Sequence, residues 1–160
     1  MPDLDAQILR AVEEIPGISV LVLFGSRAKG TARPDSDLDV AVLPDATVPL
    51  DDPTARRRLQ TRIAVALADL APDGRVDVVF LDEATDVLRQ RVMEHGRVLI
   101  CRDREAWIEL RVRTMREYGD REWVRDLDQR EQRRRLEGGQ PSGRSGKALE
   151  SLRRIGRLSR

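Results

Sequence analysis

An apolar run, Ile18 to Phe24, stops at Gly25-Ser26, and ten residues later Asp37-Leu38-Asp39 opens a second apolar run that Pro44 closes. This G-S-x10-D-x-D spacing constrains the fold more than any other feature of the chain. The first run is apolar everywhere but Ser19, so both faces of its pleat need cover and it belongs inside a sheet. The second ends at Pro44 because proline cannot donate to a ladder. Side chains alternate along a strand, which sends Asp37 and Asp39 to one face about 7 Å apart. Two anions held that way repel. Unless one protonates, the arrangement favours a cation between them, and a hard, oxygen-liganded ion such as Mg2+ fits a carboxylate pair completed by substrate phosphates.

A third carboxylate follows the same logic. Residues 75–81 (RVDVVFL) read as a strand with Asp77 set between Val76 and Val78. An acid in such a run costs on the order of several kcal/mol if it stays charged and unpaired, so Asp77 needs a partner. About thirty residues separate this strand from the second, with a helix over 54–71 inside them, which is the length of a right-handed parallel crossover. The two strands are therefore expected to be neighbours. That helix carries Leu59, Ile63, Ala66, Leu67 and Leu70 on one stripe, with Arg56, Arg57, Arg58 and Arg62 outside it or at its margin. A first helix over 4–15, a helix over 85–94 ended by His95-Gly96, a strand over 98–101 and a helix over 104–118 with Ile108, Val112 and Met115 inward complete an α/β domain of four strands. Trp107 reads as a packing residue and Cys101 as a buried small hydrophobe.

Gly25 lets a ligand approach the backbone closely, and Ser26 lies where the strand turns into a short helix whose free N–H groups favour an anion. The P-loop does not explain this bend, because Gly30 is followed by Thr31-Ala32 and the lysine stands at Lys29. No G-x-G-x-x-G occurs either. An ordinary turn after Pro34 would account for Asp37 and Asp39, but not for Asp77 or for Gly25-Ser26. With one cysteine and one histidine, Cys101 and His95, the chain cannot build a four-ligand zinc site, so any metal is held by oxygen.

These residues resemble the nucleotidyltransferase superfamily with the polymerase β-like fold, and within it the minimal nucleotidyltransferases of the MntA antitoxin type. The likeness rests on Phe24-Gly25-Ser26-Arg27-Ala28-Lys29-Gly30, on Ser36-Asp37-Leu38-Asp39 and on Val76-Asp77-Val78, and extends over roughly residues 5–125. The resemblance implies a mixed-sheet fold and nucleotidyl transfer from ATP. Asp37, Asp39 and Asp77 would bind two Mg2+ ions, Gly25 and Ser26 would receive the outer phosphates, and Arg27, Lys29 and Arg33 would be phosphate-side cations. Asp77 would also help remove the proton of the attacking hydroxyl. In such antitoxins the acceptor is a tyrosine on a HEPN-domain RNase toxin, which is AMPylated and silenced. The alternatives are transfer to a small molecule such as an aminoglycoside, for which no acceptor domain is evident, and a non-catalytic antitoxin that neutralises its toxin by contact.

The charge balance divides the chain. Residues 1–120 hold 17 basic and 22 acidic groups, whereas residues 121–160 hold 12 and 6. The expected organisation is a nucleotidyltransferase domain over 1–120, a helical extension over 121–137 and a flexible basic tail over 138–160. The tail lies outside the resemblance. Arg130 to Arg135 read as a solvated helix face, with contact to RNA or to an acidic toxin face as the rival, weakened by the missing aromatic interleaving. No apolar run approaches the ~18 residues that cross a bilayer, and the start lacks the pattern of a signal peptide, so a cytoplasmic protein is expected.

Overall fold

A computed structural model of the chain describes residues 3–137, and its side chains through Arg121. The basic tail over 138–160 and the side chains of Trp123 and Arg130 to Arg135 lie outside the described residues. The elements are α1 (Leu4–Val12), β1 (Ile18–Phe24), α2 (Gly25–Ala28), β2 (Leu38–Pro44), α3 (Pro53–Leu67), β3 (Val76–Phe80), α4 (Asp86–His95), β4 (Arg97–Cys101) and α5 (Arg104–Glu137). Two short 3-10 turns, Ala68–Leu70 and Pro72–Gly74, lie between α3 and β3. The chain divides after Asp120, and the sheet with its helices belongs to the first unit.

The strands form one mixed sheet in the order β3-β2-β1-β4. β1 pairs antiparallel with both β2 and β4, while β2 and β3 run parallel, joined by the crossover through α3. β1 is central and buried along nearly its whole length, as its two-sided apolar pattern requires. Alternation then sorts the core. Leu21, Leu23, Leu38, Val40 and Val42 pack with Ile8 and Val12 of α1 and with Leu59, Ile63 and Leu67 of α3. Val20, Val22, Ala41 and Leu43 point to the other face, against Val92 of α4 and Leu110 of α5. The Asp52 side chain accepts from Thr54 N–H and Ala55 N–H and so starts α3, with Pro53 in its first turn.

Three expectations are corrected. Ile108, Val112 and Met115 are exposed, and Leu110, which packs on the sheet, and Thr114 are buried instead. Two stripes compete on this helix. The bulky Trp107 packs with Leu110 on the sheet side, which turns the Ile-Val-Met row outward. Arg56 is buried, because Asp82 and Glu83 after β3 pair with its guanidinium while Phe80 lies 4.6 Å beneath it. Cys101 is exposed at the end of the edge strand β4.

Candidate active site

The register of the sheet assembles the carboxylates. Phe24 stands opposite Asp39 across β1 and β2, and Asp39 stands level with Asp77 across β2 and β3. Neighbouring strands lie about 4.8 Å apart, so Asp39 and Asp77 are side by side on the face opposite α1 and α3. Asp39 is half-buried, whereas Asp37 and Asp77 are exposed. Its acidity records the crowding. Partial burial holds the Asp39 carboxyl above its ordinary value, the charges of Asp77 and then Asp37 push it further up, and Arg27 opposes them.

Gly25 closes the bend beside this pair. Its φ of 72° lies in the left-handed region, and a Cβ there would overlap the Asp39 carboxylate, with Cγ 2.8 Å away. The backbone at residue 25 thus presses directly on a carboxylate, a cradle that no other side chain leaves open. Ser26 is half-buried, its carbonyl accepts from Thr31 N–H at 3.0 Å, and its hydroxyl makes no hydrogen bond among the described residues. Lys29 and Arg33 are exposed and make no ion pair among the described residues.

Arg27 is held by backbone carbonyls of the turn before β2. Its Nη2 and Nε donate to the Ser36 carbonyl at 2.8 and 3.3 Å, and Nε also donates to the Asp37 carbonyl at 3.1 Å. It therefore fastens α2 to the turn that presents Asp37. Arg75 grips the same turn from the other side, with Nη2 donating to the Asp35 carbonyl at 2.9 Å and Nε 3.1 Å from Asp37 Oδ1. Sequence reasoning missed Arg75. The signal was available, because the parallel register that aligns Asp39 with Asp77 carries Asp37 level with Arg75 two residues earlier.

The three carboxylates share a face without closing into a cage: among the described residues no three acidic, thiol or imidazole groups converge tightly enough to hold a metal ion. The donor set nonetheless fits a hard cation. It is all oxygen, and its members already repel one another. The sign of that repulsion gives a test. Because the Asp39 value is raised by folding, its contribution to stability is complete below the ordinary carboxylate range and is lost as pH rises through the raised value. At neutral pH the ionised site therefore weakens the metal-free fold. Saturating Mg2+ is expected to raise the melting temperature by about 3 °C or more at neutral pH and by less within the ordinary carboxylate range, near about pH 4. Calorimetry at both values checks this, and equal shifts would count against a carboxylate-held ion.

Comparisons with known proteins agree with the geometry. The model of the family described as polymerase beta, nucleotidyltransferase, matches residues 6–105. The protein adenylyltransferase MntA of Shewanella oneidensis is 39% identical over 87 residues, which make up 54% of this chain and 57% of that relative's length. A crystal structure of a toxin-antitoxin with AMP-PNP superposes with a TM-score of 0.59 at 30% identity, covering 79% of this chain and 96% of that one. A tri-AMPylated Shewanella oneidensis HEPN toxin in complex with MNT antitoxin gives 0.54 at 28% identity, covering 80% and 94%.

Proposed function

Starting from the polymerase beta nucleotidyltransferase family, to which this chain belongs by its match over residues 6–105, we propose that the protein is an adenylyltransferase antitoxin. It transfers AMP from ATP to a tyrosine of a HEPN-domain toxin and thereby silences it. The observation that carries this reading is the alignment of Asp39 with Asp77 beside the Gly25-Ser26 bend. The chain's similarity to an AMP-PNP-bound toxin-antitoxin and to an MNT antitoxin held against a tri-AMPylated toxin supports the nucleotide and the acceptor.

Asp37, Asp39 and Asp77 are the residues that would hold two Mg2+ ions. Bound there, the ions supply positive charge to the triphosphate and to the oxygens that enter and leave phosphorus. The Ser26 hydroxyl and the backbone beside Gly25 receive the outer phosphates, and Lys29 adds a cation. Arg27 keeps the Ser36-Asp37 turn in place through backbone carbonyls. The tyrosine oxygen bonds to the α-phosphorus as the bond from that phosphorus to the bridging oxygen breaks. Pyrophosphate leaves with the electron pair, and Asp77 takes the phenolic proton. The transfer unit is residues 1–120, followed by a helical extension over 121–137 and a basic tail over 138–160. No helix among the described residues is long and apolar enough to cross a membrane, and the protein acts in the cytoplasm, where ATP and the toxin's RNA meet.

Incubation of the full chain with labelled ATP, Mg2+ and the toxin encoded beside it is expected to place label on a toxin tyrosine. Folded protein that leaves the toxin unlabelled would overturn the reading, and label moved to a kanamycin-like aminoglycoside instead would turn it toward small-molecule transfer.

A further inference from the structure

Resting on the reading above, we propose that Arg75 is a positioning residue that stands in for the metal. It occupies the Asp37 carboxylate while no ion is bound and yields it when metal arrives together with nucleotide. Two arginines hold the Asp35-Ser36-Asp37 turn, but in different ways. Arg27 donates only to backbone carbonyls, contacts that survive any rotation of the Asp37 side chain. Arg75 Nε lies 3.1 Å from the Asp37 carboxylate oxygen itself, so it competes for the same lone pairs a metal would use.

The pair suits such a role because it is weak. Both side chains are 53% exposed, and ion pairs of that kind contribute little in water. An arginine buried as deeply as Arg56 could not be displaced at reasonable metal concentration. The pairing also agrees with the open arrangement of the triad, in which Asp39 and Asp77 stand together while Asp37 is drawn toward Arg75. Once displaced, the guanidinium retains the Asp35 carbonyl as partner, and a phosphate oxygen is the natural replacement for the carboxylate it has lost. Metal and nucleotide therefore bind with positive coupling, each favouring the state the other needs. Metal alone must displace the arginine without offering it a new anion.

The test is Mn2+ binding to the full chain by electron paramagnetic resonance, with and without AMP-PNP, for wild type, Arg75→Gln, Arg75→Lys and Asp37→Asn. Removing the competitor is expected to tighten binding of Mn2+ alone by about three- to fivefold in Arg75→Gln. The further tightening that AMP-PNP brings should shrink in the same variant. Arg75→Lys keeps the charge on a shorter reach to Asp37 and is expected to shift in the same direction by less, which keeps the test open if Arg75→Gln does not fold. Wild-type binding that Asp37→Asn weakens but folded Arg75→Gln leaves unchanged, or weakens, overturns this inference alone. Absence of Mn2+ binding to folded wild type and Arg75→Gln alike, even with AMP-PNP, overturns the metal-site reading with it.

Discussion

Replacing Asp37 and Asp39 together by asparagine is expected to lower AMP transfer by about 10³-fold or more, since on the proposed reading these carboxylates would hold the ions that are asked for several kcal/mol of the barrier. The same variant should melt no lower than wild type without metal, and higher at neutral pH. Asparagine has the shape of aspartate without its charge, and the charge is what Asp77 and partial burial oppose at position 39. The cost of losing the half-exposed Asp37–Arg75 pair is small by comparison. Lost transfer combined with retained or raised melting temperature separates chemistry from folding. Toxin protection should fall in parallel. If the double variant protected cells as fully as wild type, neutralisation would come from contact rather than from nucleotide transfer.

Gly25→Ala carries the second large effect. The added methyl meets the Asp39 carboxylate, and it must do so at a φ of 72°, which alanine adopts only at a cost of about 1–2 kcal/mol. Relief requires Asp39 to swing out of line with Asp77 or β1 to part from β2. A displacement of about 1 Å at a reacting centre costs about 10²-fold, so transfer should fall by about that factor while a cooperative melt persists a few degrees lower. Gly30 is the internal control. It also has positive φ, at 70°, but nothing lies near a Cβ there, so Gly30→Ala carries the backbone cost without the collision. Equal losses of transfer in the two variants would mean that strain, and not the crowding of Asp39, sets the activity.

The site was more legible in the chain than the helix packing around it, for a physical reason. Strand alternation has a period of two, so Asp37 and Asp39 share a face once β2 exists, and a thirty-residue link containing a helix makes β2 and β3 parallel neighbours. Helices are less binding. On α5 the Ile108, Val112, Met115 row and the Trp107, Leu110, Thr114 row both repeat at helical spacing, and periodicity cannot say which one meets the sheet. Arg56 looked like one more surface arginine because its partners, Asp82 and Glu83, lie 26 and 27 positions further along the chain. Arg27 and Arg75 show the same limit inside the site. Their residue types suggested phosphate contact or nothing, while three-dimensional proximity gives both of them the Asp37 turn to hold.

Asp77 belongs to β3, which among the described residues is an edge of the sheet with β2 on one flank. On the sheet face it shares with Asp39, α4 and α5 pack over Val20 and Val22 of β1 and over Ala41 and Leu43 of β2. On the reading proposed above, the acceptor meets the exposed Asp77 carboxylate along this edge of the sheet. A folded acceptor can cover that edge by docking on it, whereas a small, freely diffusing alcohol cannot.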